Sequence, residues 1–317
     1  MKLLFLFLFL LPLLVWGHPG IGIVKDSKGH IYYTDLEQVW KMVNGKRIVA
    51  VPKVHTHELY MDSKDQLWGQ HERYDPSRET FHHYLWVLRP GGMLDTVVGE
   101  REAYINIDFS LARDREGNEY YTKQFLKKRD SNHIYRKTPN GKETIFAKGI
   151  FNHVKWLHPQ ADGSLLFHQQ NAIYRADKYG HVYLIANQVA SSKPSFAFSG
   201  NTPAIWGLWE DAGANVYAAV FSDQAVRKIA RNGTISTVHT SPEHWTPLQG
   251  VFDNEGQLWV MEASDRNAIR VVRASSTAAN HVNKALIILL VSGGFLLLIG
   301  SYLFIRKKKN KWQPVSA

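Results

Sequence analysis

The sequence predicts an all-β protein: a six-bladed β-propeller whose last blade stops early, followed by a single C-terminal transmembrane helix. Three observations predict it. Six segments, each a strand, a tight Asp- or Gly-containing turn and a second strand, recur along the chain. Their turn positions, Gly29, Asp65, Gly117, Gly163, Ala214 and Gly256, are about 45 residues apart on average, the length of one four-stranded blade. An uncharged apolar stretch then runs from Ala285 to Ile305. As a helix it reaches roughly 31 Å, enough to cross a bilayer.

In chain order, residues 1–17 read as a secretory signal peptide. Lys2 precedes an apolar run from Leu3 to Val15, and the residues Val15 and Gly17 place cleavage before His18. Residues 18–274 carry the repeats: IGIVKDSKGHIYYTD from Ile21, ELYMDSKDQLWGQH from Glu58, DFSLARDREGNEYYTK from Asp108, VKWLHPQADGSLLFHQ from Val154, WGLWEDAGANVYAAVF from Trp206 and QGVFDNEGQLWVMEA from Gln249. Each reads as a β-hairpin with turn-forming residues at its bend. A third strand follows each one. Five also show a second Gly turn and a fourth strand, as in VWKMVNGKRIVAV from Val39 and VRKIARNGTISTVHTS from Val226. The sixth ends at AIRVVRAS, so its blade has three strands or takes an irregular fourth from residues 276–283.

Residues 275–284 form a juxtamembrane spacer and 285–305 the span. Residues 306–317 form a tail in which Arg306, Lys307, Lys308, Lys309 and Lys311 mark the cytoplasmic side. The expected topology is type I, with the propeller in an extracellular, lumenal or periplasmic space.

The net charge of +10 comes from 38 Lys and Arg against 28 Asp and Glu. Setting aside Lys2 and the five tail cations leaves the exported part at about +4, so no nucleic-acid partner is expected. The chain has no cysteine. That excludes a disulfide framework, a thiolate metal site and a thiol nucleophile.

The stretch VYAAVFSDQAVRKIARNGTISTV from Val216 resembles an NHL repeat, and Thr96-Val97-Val98-Gly99 repeats its ending. Over nearly all of residues 18–274 the chain is similar to NHL-repeat and gluconolactonase (regucalcin)-like propellers. The resemblance implies the six-bladed fold. For lactonase-like members it also implies a divalent cation (Ca, Mg, Mn or Zn), held by Glu, Asn and Asp at the funnel ends of the innermost strands, that polarises a carbonyl and activates water. The matching positions, five residues before each turn Asp, are Ile21, His57, Phe109, Lys155, Trp206 and Leu248. An oxygen-ligand set appears only when the register is shifted. The candidate metal ligands are then Glu58, Asp108, Asn152 and His153.

In a meander, the turns between strands one and two and between three and four share one face. Here these are tight: DSKG, DREG, DNEG, PNG, RNG. The long connections, residues 70–83, 124–132, 148–153, 187–204 and 239–247, fall on the other face, where repeat proteins usually bind. All 15 histidines lie in the exported part. His55, His57, Glu58, Lys155, Trp206 and His244 are the candidate ligand-binding residues of a polar, partly aromatic mouth.

Trp40, Trp68, Trp86 and Trp259 recur at blade positions and read as core packing. The basic segment 123–130 reads as a solvated loop, and Asn232-Gly233-Thr234 as a glycosylation sequon in a hairpin turn. No Gly-rich phosphate loop or Gly-x-Ser-x-Gly elbow is present. The expected function is binding of a carbohydrate, another small molecule or a protein at the loop-rich face. Hydrolysis of a lactone or ester is the alternative, and a rigid spacer in an envelope complex a third reading.

Overall fold

The computed structural model describes residues 20–103, 111–123, 133–149, 151, 154, 156–191 and 204–274. The signal segment, spacer, span and tail lie outside these residues, and so do Asp108, Phe109, Asn152, His153 and Lys155. Among the described residues no helix is long and apolar enough to cross a membrane. The chain divides into two units at Ala274 and Ser275, and the first holds the propeller.

Six antiparallel sheets follow one another along the chain. Blade 1 comprises β1 (Ile23–Lys25), β2 (Ile31–Thr34), β3 (Val39–Val43) and β4 (Lys46–Val51). Blade 2 comprises β5 (Leu59–Met61), β6 (Leu67–Asp75), β7 (Thr80–Leu88) and β8 (Leu94–Ala103). In blade 3, β9 (Glu119–Thr122), β10 (Ile134–Lys137) and β11 (Glu143–Ala147) are extended inward by an isolated bridge from Arg113 to Glu119. Blade 4 holds β12 (Leu157–Pro159), β13 (Leu165–Gln169), β14 (Ala172–Ala176) and β15 (Val182–Ala186). Blade 5 holds β16 (Ile205–Glu210), β17 (Val216–Val220), β18 (Ala225–Ile229) and β19 (Ile235–Thr240). Blade 6 has β20 (Trp245–Phe252), β21 (Leu258–Ser264) and β22 (Ile269–Arg273), the three-stranded form among the described residues. β1 contacts both β5 and β20, and β16 contacts β20, so the first strands lie innermost.

The turn between the first two strands is built the same way in five blades. In blade 3, Asp114 Oδ1 accepts the backbone N–H groups of Glu116 and Asn118 at 3.0 and 2.9 Å. Its Oδ2 accepts the Asn118 amide and the Tyr120 hydroxyl, each at 2.8 Å. Asp26, Asp62, Asp211 and Asp253 repeat the pattern, ending on Tyr32, Trp68, Tyr217 and Trp259. One carboxylate thus closes an Asx turn and pins the aromatic that opens the second strand. Burial alone would raise the Asp62 pKa, but the hydrogen bonds from Trp68, Gln66 and Lys64 outweigh it and hold the carboxyl below its usual range. The residue three past each turn Asp has positive φ, including Asp65 and Ala214 at 57° and 60° where glycine is absent.

Most apolar side chains meet between blades. Val39 and Val51 of blade 1 pack with Leu59, Leu67 and Trp86 of blade 2, and Tyr120 and Ile134 of blade 3 with Leu165 and Phe167 of blade 4. Leu166 and Ile173 meet Ile205 and Leu208, and Trp209 and Val226 meet Leu258 and Val260. Ile21, Ile23 and Tyr33 close the ring against Leu248 and Met261. Each buried side chain of this size contributes about 1.5–3 kcal/mol, so blade-to-blade contact carries the fold without cross-links. Trp86 is the core residue expected, at 1% exposure. Trp40, Trp68 and Trp259 are half-buried instead, with their indole N–H groups donating to Asp35, Asp62 and Asp253.

A candidate binding pocket beside blade 2

The expected long loop at 70–83 is a two-stranded extension instead. β6 and β7 stay paired from Leu67 and Leu88 out to Asp75 and Thr80, and only residues 76–79 turn. The alternation of Gln70, Glu72 and Tyr74 on one side with His71 and Arg73 on the other is that of a strand running past the blade.

The connection 52–58 lies against this extension. The His55 N–H donates to His71 Nδ1 at 3.0 Å, and His55 O accepts from the Glu72 N–H at 2.9 Å. Thr56, fully buried, donates its hydroxyl to Gln70 O at 2.8 Å, while its backbone carbonyl accepts from the Thr34 hydroxyl. The connection is therefore tied to β6 by one backbone bond and two bonds through side chains. The Ile21 N–H caps it at His57 O, and a Cβ on Gly20 would stand 2.6 Å from that oxygen. Gly20 is what lets the first segment approach.

These contacts open a small pocket of about 40 Å³, lined by His57, Glu58, Gln70, Glu72 and Leu111. His57 and Glu58 come from the connection, Gln70 and Glu72 from alternate positions of β6. Behind them His83, buried, accepts from the Gln70 amide at 3.2 Å and lies 3.8 Å from Glu72. His55 meets His57 edge to face at 4.7 Å. His71 stacks on Tyr84, and burial followed by repulsion from His55 lowers its pKa. The bond from the His55 amide needs an unprotonated Nδ1, so the neutral ring is the one that fits.

Of the residues singled out from sequence, His55, His57 and Glu58 are brought together. Trp206 is not. It is 2% exposed and packs between Trp156 and its own blade's Phe221, at 6.4 and 5.5 Å, within the apolar cluster that also holds Ile21 and Leu248. His244 is distant in the fold, exposed on the β19–β20 connection and hydrogen-bonded to Asp265 at 2.8 Å. Lys155, Asp108, Asn152 and His153 fall outside the described residues. Gln70, Glu72 and Leu111 were missed, and the alternation of β6 is the signal that exposes the first two.

A divalent cation on the axis, as the resemblance implies, finds a poor fit among the described residues. The inner positions Ile21, Trp206 and Leu248 belong to an apolar cluster with Trp156 and Met261. No group of three or more His, Asp or Glu converges there or elsewhere among the described residues. Deeper on the axis, Gln249 of blade 6 reaches His158 of blade 4 at 3.4 Å, passing blade 5 where a Cβ on Gly207 would meet its Oε1 at 2.4 Å.

No protein-family model matches the chain, and no curated protein matches its sequence. The structure is similar to solved six-bladed propellers. A luciferin-regenerating enzyme matches with a TM-score of 0.55 and 14% identity, over 82% of this chain and 92% of that one. A gluconolactonase from Xanthomonas campestris matches with 0.51 and 14%, over 81% and 87%. A calcium-binding regucalcin from Agrobacterium tumefaciens matches with 0.51 and 14%, over 78% and 82%. At such identity the likeness is one of fold. The chain has the six-bladed architecture of the gluconolactonase and regucalcin-like propellers.

Proposed function

We propose that the chain is a type I membrane-anchored propeller that binds a small ligand rich in hydrogen-bond donors, a polyol such as a carbohydrate or an amine, in the blade 2 pocket. One observation carries this reading. Two carboxylates, an imidazole and an amide, contributed by two separate backbone segments, line a single cavity with Leu111 as its apolar wall. Carboxylates accept paired hydroxyl donors and offset a positive charge, which is the chemistry that favours such ligands. The apolar run at 285–305 and its basic flank support the anchor.

Thermal-shift and calorimetric titration of the full chain against monosaccharides and polyamines tests the pocket. Glu58→Gln combined with Glu72→Gln should weaken the best ligand at least about tenfold, the loss expected of charge-assisted hydrogen bonds. An unchanged affinity overturns the pocket assignment.

A hydrolase of lactones or esters is the second reading, supported by the fold shared with the gluconolactonase and by His57 and Glu58 standing side by side at the pocket. Its cation would draw on Glu58, Asp108, Asn152 and His153. Metal analysis of the purified chain with a lactone and ester screen decides it: no stoichiometric metal and no turnover removes this reading.

A further inference from the structure

We propose that the tight-turn face of the propeller docks on a membrane surface carrying anionic lipid headgroups. The charges of that face are arranged in rings. The inner turns are acidic, with exposed Lys28, Lys64 and Arg115 set among exposed Glu116, Asp162 and Glu255 and half-buried Asp62, Asp65, Asp211 and Asp253. The outer rim is basic. Lys46, Lys142, Lys178 and Arg231, on the outer turns of blades 1, 3, 4 and 5, and Arg273, at the end of β22, are all exposed.

The carboxylates nearest that rim are engaged. Asp95 pairs with Arg89 at 2.7 Å, Glu143 binds Lys123 and Tyr121, and Asp177 closes its own turn on Tyr179 and His181. The hairpin side differs, since Arg73, Arg78 and Arg101 stand there among Glu79, Glu100 and Glu102. A polyanionic surface therefore finds a basic outer rim on this face among the described residues.

Two further features name the polyanion as a lipid surface. The rim turns carry exposed apolar tips, Tyr179 at 72%, Met93 at 57% and Leu94 at 46%. Side chains of this kind suit the boundary between headgroup and acyl chain. The chain also leaves the propeller on this face: the Ala274 N–H donates to Leu258 O, directly after the blade 6 inner turn. Ten residues, 275–284, separate that point from the apolar run at 285, a reach of at most about 36 Å. The orientation argument rests on the anchor reading above; the charge and apolar arguments do not.

The cysteine-free chain allows a direct test. Full chain labelled with a donor dye at Tyr179→Cys or, on the opposite face, at Ser77→Cys is reconstituted in vesicles bearing a headgroup acceptor. In phosphatidylcholine with phosphatidylserine, transfer from position 179 should exceed that from 77 at least about twofold. The difference should shrink when phosphatidylserine is omitted, when salt is raised to about 1 M, where screening reaches ~3 Å, and in the fivefold variant Lys46→Gln, Lys142→Gln, Lys178→Gln, Arg231→Gln, Arg273→Gln. The lipid and salt arms keep all five rim cations, so misfolding of the fivefold variant leaves the test intact.

Equal transfer from both positions, a lipid-independent difference, or capture of heparin without headgroup proximity overturns the proposal. Alkaline carbonate extraction separates it from the anchor. Retention with equal transfer keeps the anchor and removes the docking face, whereas release with transfer still dependent on phosphatidylserine keeps the face and removes the anchor.

Discussion

Gly69 shows how little room single residues have in this core. A Cβ there would sit 2.0 Å from Trp86 Cζ2, and Trp86 fills the seam between blades 1 and 2. Gly69→Ala should lower stability by about 1–3 kcal/mol, read as a fall in urea midpoint with an unchanged slope. His158 sets a pH response. Burial first, then His168, depress its pKa from 6.5 to about 3, and its enclosed Nε2 has no hydrogen-bond partner. The folded ring stays neutral while the unfolded chain takes up a proton as pH falls below 6.5, so stability should decline from there toward pH 3. His158→Leu should flatten the Tm profile over that window, and an unchanged profile would assign the acid sensitivity to other groups. At this scale the sequence was a partial guide. His57 and Glu58 stood out by type and position. Trp206 read as pocket-lining, whereas it is buried among other inner-strand apolar side chains, and which side chains converge there is set by packing that residue type alone does not encode.

At the scale of the element, the pinned turn is the recurring unit, and its energy depends on burial. Asp114 is 7% exposed and serves two backbone amides, one side-chain amide and one hydroxyl. Asp114→Ala strands these donors and should cost about 2–4 kcal/mol. Asp177 makes a parallel set of bonds on the rim, with the His181 imidazole in place of the side-chain amide, and there water can replace it. Asp177→Ala should cost much less than Asp114→Ala, so comparing the two variants by chemical denaturation measures burial rather than bond number. These turns were legible because an Asp followed at three residues by Gly has few other backbone uses. The β6–β7 extension was not. Its segment HERYDPSRETFHHY mixes charges with aromatics on both sides of the strand, and exposed strands lack the one-sided apolar alternation that marks a half-buried one.

At the scale of the whole molecule, the ring must close without a cysteine and with a last blade that shows three strands among the described residues. A buried ion cluster helps. Glu262, with no exposed surface, accepts from the Ser241 hydroxyl at 2.6 Å and pairs with His239 of blade 5 at 2.8 Å and with Arg270 of β22 at 2.7 Å. Burial would raise its pKa, but these bonds prevail and lower it. Its contribution is present above the ordinary carboxylate range and is lost as pH falls through the depressed folded value. Glu262→Ala should cost about 3–5 kcal/mol and speed amide hydrogen exchange in β22 more than in β1.

The sequence left two forms for the sixth blade, three strands or an irregular fourth from residues 276–283, and the described residues show three. The consequence is mechanical. Between blades 6 and 1 the described closure is made by side chains, among them Asn254 bonded to Lys25 and to the Ser27 carbonyl, and not by a strand shared across the seam. A pull on the chain beyond Ala274 loads β22 from its free end against one neighbour. In that geometry the hydrogen bonds to β21 break one after another instead of together. Under tension the propeller should lose its terminal strand at low force while the other five blades stay folded, so blade 6 behaves as the fuse of the ring.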